Sequence, residues 1–344
     1  MGIILGIISL VFVGIALLTL KPDLFPYGQD LMLTQPFAQI LGIRPLLAVG
    51  LVLLGVVLLI LTAVFRGFLR RFWFTRLCAV VLIVIGFIHA GTIYQRGLGD
   101  QTELSQDPGI TETQQGNGTV TILSYNTLGG ATSPEQLAKV IVDNGVDVVT
   151  LPETSSKRGE QLKELLKRQG LKFQIFTTGT PKWNSEFSST ILLISESLGK
   201  YSKSPIQIPG ADKLSVVAAV PASGHGPKII ATHPIAPVPR FMEVWRQEIA
   251  GVYGLCQSEQ NFILAGDFNS TVDHQKALGI HCTDAALEAD AGAQGTWPAS
   301  LPAFLSAPID RVLHDGKTYH GVEAITVEVG GSDHRGILVR LAQQ

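Results

Sequence analysis

Six apolar runs in the C-terminal two-thirds of the chain stop at, or open just after, a side chain that can do chemistry. Thr-Ile-Leu-Ser-Tyr leads into Asn126, and Asp-Val-Val-Thr-Leu-Pro leads into Glu153. Ile-Ile-Ala-Thr leads to His233, and Phe-Ile-Leu-Ala-Gly leads to Asp267 with Asn269 two residues on. Ala-Pro-Ile leads to Asp310, and Gly-Gly-Ser leads to Asp333 and His334, ahead of the last apolar run. Any one of these is an ordinary turn or cap residue, since Asx side chains close turns by bonding nearby backbone. Repeated on separate strand ends, where sheets of this kind bind ligands, they are a different signal. Carboxylates, amides and imidazoles together suit a hard divalent cation and a phosphoryl group.

Such residues need a rigid platform. From Thr119 onward, short Val, Ile and Leu-rich runs read as strands, several apolar throughout as buried central strands are. The expected strands are Val120–Tyr125, Asp147–Leu151, Thr190–Ser195, Leu214–Val220, Lys228–Thr232, Phe262–Ala265, Ile309–Leu313, Ala324–Val329 and Gly336–Leu341. Helical stretches fit Pro134–Asn144, Gly159–Gln169 and Pro239–Gln257. Pro134 and Pro239 suit a first helical turn, and Ser133 suits an N-cap. The fold class is therefore α/β, sheets in a sandwich flanked by helices.

At these residues the chain resembles the endonuclease/exonuclease/phosphatase superfamily, the fold of DNase I-like nucleases, sphingomyelinases and inositol phosphatases. Gly-Asp267-Phe-Asn269 and Ser-Asp333-His334 are the specific elements, with Asn126, Glu153 and Thr-His233 in order; the resemblance covers about Thr119 to Leu341. It implies a four-layer α/β sandwich, two mixed sheets face to face with helices outside. It also implies Mg²⁺, or Mn²⁺ in its stead, with Glu153 as principal ligand and Asn126 as ligand or ligand-orienting amide. His334 resembles the family's general base, oriented by Asp333. Asp267 and Asn269 would position water and phosphate, and His233 would donate to a non-bridging oxygen. Asp310 matches the family's Ile-Asp-x-Val element and would support the site from behind. Two positions depart from the family: Pro152 stands where a Gln usually precedes the Glu, and Thr127 follows Asn126 where apolar residues are common. Arg158, Ser189 and Arg335 are further candidates for phosphate contact. Gly295-Thr-Trp297-Pro marks a loop at the rim.

The first hundred residues are of another kind. Gly2–Leu20, Pro45–Phe65 and Leu77–Tyr94 are apolar runs free of Asp, Glu, Lys and Arg, each close to the length that spans a bilayer as a helix. The first has no basic n-region and no small-x-small cleavage site, so a retained helix is expected rather than a signal peptide. His89 is the one ionisable side chain within them. The arginine-rich loop from Arg66 to Arg76 belongs on the cytoplasmic side. The N-terminus is then cytoplasmic and everything after Arg96 extracytoplasmic. Residues 1–96 read as a membrane domain, 97–118 as a flexible linker rich in Gly, Gln and Thr, and 119–344 as the catalytic domain.

Beyond Thr119 the chain holds 19 basic and 22 acidic side chains, without the basic excess that drives nonspecific nucleic-acid binding. Three cysteines make no disulfide framework. Cys256 and Cys282 could pair in an oxidising compartment, but two unpaired thiols are the simpler expectation. The sequence thus points to an extracytoplasmic, metal-dependent phosphoester hydrolase embedded in the membrane. A membrane-borne phosphate lipid, a polyprenyl phosphate or pyrophosphate or a phospholipid, is the favoured substrate. A cell-surface nuclease acting on DNA or RNA is the first alternative, and an inactive membrane-tethered binding module the second.

Overall fold

The computed structural model describes residues 2–64, 72–105, 118–180, 186–206, 208 and 215–344. The chain divides into two compact units, Met1–Gln95 and Arg96–Gln344. Most of the arginine-rich loop, and with it the residues that argued for orientation, lies outside the described residues.

The first unit is helical: α1 (Gly2–Leu20), short turns α2 (Gly28–Leu31) and α3 (Phe37–Gly42), then α4 (Arg44–Val64) and α5 (Trp73–Gln95). Glycines let α4 and α5 pack closely. A Cβ on Gly55 would lie 2.6 Å from the Ala79 carbonyl, and one on Gly86 would lie 2.9 Å from that of Ala48. The pairings run in opposite directions along the two helices, so α4 and α5 form an antiparallel hairpin held by close backbone approach. Val13, Ala16, Leu51, Leu58, Ala79 and Leu82 pack in its core. Three spans were expected from the sequence. Among the described residues, α4 and α5 alone are long and apolar enough to cross a membrane, and the described apolar stretch of α1, Ile4–Leu20, is shorter. His89 is fully buried and accepts from the Arg44 guanidinium at 2.7 Å through Nδ1. Its Nε2 lies 3.4 Å from the Thr19 hydroxyl. A polar group buried among apolar helices is costly unless hydrogen-bonded, and this one is.

In the second unit the strands run β1 (Thr119–Ser124), β2 (Val148–Pro152), β3 (Phe173–Thr177), β4 (Thr190–Ser195), β5 (Tyr201–Ser204), β6 (Val216–Pro221), β7 (Lys228–Thr232), β8 (Phe262–Asp267), β9 (Thr283–Asp284), β10 (Asp310–His314), β11 (Tyr319–Val327) and β12 (Gly336–Gln343). The helices are α6 (Pro134–Asp143), α7 (Ser156–Arg168), α8 (Met242–Ser258), α9 (Val272–Ala277) and α10 (Ala285–Glu288). Two six-stranded mixed sheets result, ordered β11-β12-β1-β2-β4-β3 and β5-β6-β7-β8-β10-β9.

Side chains alternate across each strand, so an apolar strand feeds two cores. Ile122, Val148, Leu192 and Ile194 join Ile229, Ile263 and Val312 between the sheets. Their neighbours Leu123, Val149, Ile191 and Leu193 face outward and pack with Leu137, Ile141, Leu162 and Leu166 of α6 and α7. On α8, Trp245, Ile249 and Val252 are fully buried, and Tyr253 stacks on Phe268 at 5.5 Å. Ser133 caps α6 in a reciprocal capping box with Gln136. The expected strands are present, with ends shifted by a few residues; β3, β5 and β9 were not read from the sequence. Leu214, at the start of one expected strand, lies outside the described residues.

The segment expected as a free linker is docked over its first residues. Arg96 makes a two-armed ion pair with Asp273 at 2.9 and 2.5 Å. Ala293 N–H donates to the Gly97 carbonyl and Gly99 N–H to that of Asp290. Leu104 packs on the outer core, and the Ser105 carbonyl accepts from Arg340. Residues 106–117 lie outside the described residues.

Cys256 and Cys282 are joined in a disulfide, with Cα atoms 5.5 Å apart, which corrects the expectation of two free thiols. The end of α8 meets the segment entering β9, a proximity that chain separation does not reveal. The bond closes a loop of 26 residues. Cys256→Ser should cost about 3 kcal/mol of stability, read as a lower denaturant midpoint that reducing agent reproduces in the parent protein.

Candidate active site

Parallel pairing brings the site residues together. β1 and β2 pair in parallel, Ser124 opposite Thr150, and the ladder continues past the strands through Thr127 N–H to the Pro152 carbonyl. Asn126 and Glu153 therefore leave the first sheet side by side. β7 and β8 pair in parallel with Thr232 opposite Gly266, which sets His233 beside Asp267. β10 pairs antiparallel to β8 with Asp310 opposite Asp267. His334 enters from the loop before β12, whose Ile337 lies opposite Ser124 of β1. A Cβ at Gly266 would come within 2.0 Å of the Thr232 carbonyl. Only glycine allows that approach, which is why the acid follows one.

Asn126 donates through Nδ2 to both Glu153 Oε1 and Asp267 Oδ2, each at 3.1 Å, while Oδ1 accepts from Leu128 N–H at 2.9 Å. In this orientation the amide orders the two carboxylates rather than offering them an oxygen. His233 Nε2 lies 3.8 Å from Glu153 Oε1 and 3.7 Å from Asp267 Oδ2. Glu153 takes φ 54°, left-handed backbone that a non-glycine residue adopts only when its surroundings hold it there. Here Thr127 Oγ1 donates to the Glu153 carbonyl at 2.9 Å, and Gly129 N–H donates to Oε2 at 3.1 Å. The departure at Thr127 thus has a physical use: its hydroxyl, bonded also to Thr154, clamps the strained residue.

His334 is held by Asp310 and not by Asp333. Asp310 Oδ2 lies 2.8 Å from His334 Nδ1, leaving Nε2 to face Asp267 Oδ2 at 3.8 Å. Asp333 turns away: its Oδ2 accepts from the Trp297 indole N–H at 2.9 Å. The expectation that Asp333 orients the imidazole is corrected accordingly. Asp333 and His334 lie in the bend before β12, where Trp297 holds the Asp333 carboxylate, whereas Asp310 on β10 presents its carboxylate to the ring. Burial works to pull the His334 pKa down. The charge of Asp310 and then Asp267, the Asp310 hydrogen bond and Asp333 outweigh it and push the ring up to about 10. Burial in turn pushes the Asp310 carboxyl up, against the pull of His334. One proton lies between Nδ1 and Oδ2, and the surrounding carboxylates keep it on the ring.

Asn269, at φ 46°, donates its side-chain amide to the Pro234 carbonyl at 2.9 Å, and its own carbonyl accepts from the Trp245 indole. Its N–H donates to Asp267 Oδ1 at 2.8 Å. It therefore fixes Asp267 and the loop after His233. Ser332 accepts from His334 N–H and donates to the Asn126 carbonyl, tying the two ends together. Of the phosphate candidates, Arg335 is buried and committed to the carbonyls of Gly295, Ala299 and Leu301, so it holds the 295–306 loop. Ser189 is fully buried behind Thr180. Arg158 pairs with Glu186 at 3.5 Å. Sequence reasoning did not foresee the Trp297 contact or the Thr296 hydroxyl that receives Asp310 N–H; neither residue sits at a strand end.

With this geometry, the model of the endonuclease/exonuclease/phosphatase family matches residues 123–334. The chain belongs to that family. Its members are phosphoester hydrolases that depend on a divalent metal. Among solved structures, D. rerio TDP2 complexed with single strand DNA product is similar at 16% identity and TM-score 0.51, over 65% of this chain and 98% of that one. Humanized D. rerio TDP2, altered by 14 mutations, is similar at 15% identity and the same TM-score, with the same coverage of each chain. An AP endonuclease from Archaeoglobus fulgidus aligns at 12% identity and TM-score 0.47, over 64% of this chain and 98% of that one. The two TDP2 likenesses establish the fold. No curated protein sequence matches the chain.

The donor set fits a hard cation. Glu153 is a partly exposed carboxylate, and one or two carboxylates with several waters are what Mg²⁺ takes. Asp267, Asp310 and His334 also bring ligand atoms within 4.8 Å of one another, enough to hold a metal ion, and Asp310 Oδ1 is buried without a hydrogen-bond partner. In the metal-free protein, His334 followed by NMR should titrate near 10, and Asp310→Asn should bring it toward the ordinary 6.5. Because the folded value is raised, the pair's contribution to stability is full below about pH 6.5 and is lost as pH rises through about 10.

Proposed function

We propose that this chain is a membrane-tethered, divalent-metal-dependent phosphoester hydrolase whose substrate is a phosphate borne by a membrane lipid, on the extracytoplasmic side. The observation that carries the hydrolase reading is the convergence of Glu153, Asn126, Asp267, His233 and the Asp310–His334 pair at one end of the sandwich. Glu153, ordered by Asn126, would be the main ligand of a Mg²⁺ or Mn²⁺ ion, which polarises a phosphoryl oxygen and offsets developing charge. His233 Nε2, between the two carboxylates, is set to donate to a non-bridging oxygen where charge grows in the transition state. Asp267 and His334 Nε2 face one another across a gap that can share the attacking water. Asp310 fixes the tautomer and leaves Nε2 free for that water. His334 can take its proton only when the negative charge around it is reduced, since Asp310 and Asp267 together hold the ring protonated.

Membrane tethering is supported by α4 and α5, whose outward Leu53, Ile60, Val84 and Phe87 are exposed; so large an apolar surface calls for lipid or a partner. The disulfide supports an oxidising, extracytoplasmic setting. Tethering concentrates a lipid substrate at the site, and the even charge balance suits it. A second reading, hydrolysis of DNA or RNA, draws on D. rerio TDP2 having been found with a single-strand DNA product.

Glu153→Ala and His334→Ala should each lower turnover by at least ~10²-fold with unchanged circular dichroism, and EDTA should abolish it. Phosphate release from polyprenyl pyrophosphate but not from DNA supports the lipid reading; the reverse establishes the nuclease. Protease added to intact cells should cut between residues 106 and 117, and protection there would refute the topology.

A further inference from the structure

Beside the candidate site stands a cation with hydrogens left to give. Arg158 lies in the first turn of α7, and its guanidinium covers the Gly129–Gly130 turn. A Cβ on Gly130 would come within 2.3 Å of Nε and 2.7 Å of Cζ, so any side chain there would displace the guanidinium. The preceding residue, Gly129, donates its N–H to Glu153 Oε2 at 3.1 Å.

The two oxygens of Glu153 thus face different groups. Oε1 takes the Asn126 amide at 3.1 Å and has His233 Nε2 3.8 Å away. Asp267 meets both of those residues and in turn faces His334. Oε2 faces the turn that Arg158 covers. Glu153 therefore stands between the groups that can share an attacking water and the guanidinium.

Glu186 aims the guanidinium. Its Oε2 accepts from Ser155 N–H at 2.7 Å, and its Oε1 lies 3.5 Å from Arg158 Nε. Among the described residues no acceptor takes Arg158 Nη1 or Nη2, and the side chain is 36% exposed. The open end of a planar guanidinium is the donor set for a phosphate held through two oxygens. In phosphoryl transfer the attacking and leaving oxygens lie roughly in line. An anion on Arg158, across Glu153 from Asp267 and His334, is then on the leaving-group side.

We propose that Arg158 binds a second phosphoryl group, the one that leaves, and so makes a diphosphate rather than a monophosphate the preferred head of the lipid substrate. This rests on the reading of the site as a hydrolase of lipid-borne phosphate. The water oxygen bonds to the terminal phosphorus as the bridging P–O bond breaks. The bridging oxygen keeps the electron pair and leaves on the inner phosphate, still esterified to the lipid, where the guanidinium offsets its charge. The proton of the water passes to His334 Nε2. Inorganic phosphate and a lipid monophosphate are the products.

The test uses the full chain in nanodiscs with Mg²⁺, on dodecyl diphosphate, dodecyl phosphate and a short single-stranded oligonucleotide. The parent protein should prefer the diphosphate in kcat/KM, and a parent that does not overturns the proposal. Arg158→Gln should lower the diphosphate-to-monophosphate ratio of kcat/KM by at least about tenfold, the loss of one charge-assisted hydrogen bond. A ratio unchanged within about twofold overturns the proposal, whether both rates fall together or neither does. So does a loss confined to the oligonucleotide, which would make Arg158 a contact for a nucleic-acid backbone. If the parent protein hydrolyses none of the three, the hydrolase reading fails. The anion site is then decided by calorimetric binding of dodecyl methylenediphosphonate and dodecylphosphonate. Tighter binding of the diphosphonate that is lost in Arg158→Gln supports it there. Equal binding of the two by the parent protein, or a preference that survives in Arg158→Gln, overturns it.

Discussion

The register of β8 with its two neighbours fixes the geometry on which the candidate site depends. Thr232 lies opposite Gly266 and Asp310 opposite Asp267, so His233, Asp267 and Asp310 emerge together from adjacent strands. A shift of one residue in either pairing would turn these side chains to the other face of the sheet. The shift is resisted on both faces, because Ile263 and Ala265 fill the core between the sheets and their alternates Phe262 and Leu264 are fully buried as well. Packing of strands buried on both faces is thus what holds the groups of the candidate site in place.

A site built this way gathers negative charge where water is scarce. Asp267, Asp310 and His334 are all buried, and buried carboxylates persist only with partners. The partners are local: the Asn126 amide for Glu153 and Asp267, the imidazole for Asp310, and backbone N–H groups of Gly129 and Asn269. Glu153 adds a strained backbone to that arrangement. Concentrated charge and strain of this kind suit a site designed around a cation and a transferred phosphoryl group, and the surrounding sheets supply the rigidity that tolerates them.

The stretch that follows the last long helix is part of the same construction. Arg96 is anchored to Asp273, and Gly97 and Gly99 are hydrogen-bonded to the segment around Asp290. Close approach explains the glycines: a Cβ on Gly97 would meet the Asp290 carbonyl at 1.8 Å, and one on Gly99 the Gln294 side-chain amide at 2.0 Å. A composition rich in Gly and polar residues therefore marks, over these residues, a docked strap, because glycine serves close packing as readily as flexibility.

Much of the fold was legible in the sequence alone. Apolar runs buried on both faces announced β1, β2, β4, β7 and β8, and the polar residues following β1, β2 and β7 and ending β8 announced Asn126, Glu153, His233 and Asp267. What escaped were pieces whose signal is short or partly exposed: β3, which alternates with polar residues, and β5 and β9, too brief to carry a period. The family match spans residues 123–334, a stretch that contains these strand ends. Sequence by itself determined that these side chains exist at strand ends, because strand length and burial are local properties of the chain. Only the tertiary structure decided which of them touch. Asp333 is the neighbour of His334 in the chain, yet Asp310 is its partner in space. Cys256 finds Cys282, and Thr127 finds the carbonyl of Glu153. Each pairing is a contact between segments whose separation in sequence carries no information about distance, and strand register and loop packing alone bring them within reach.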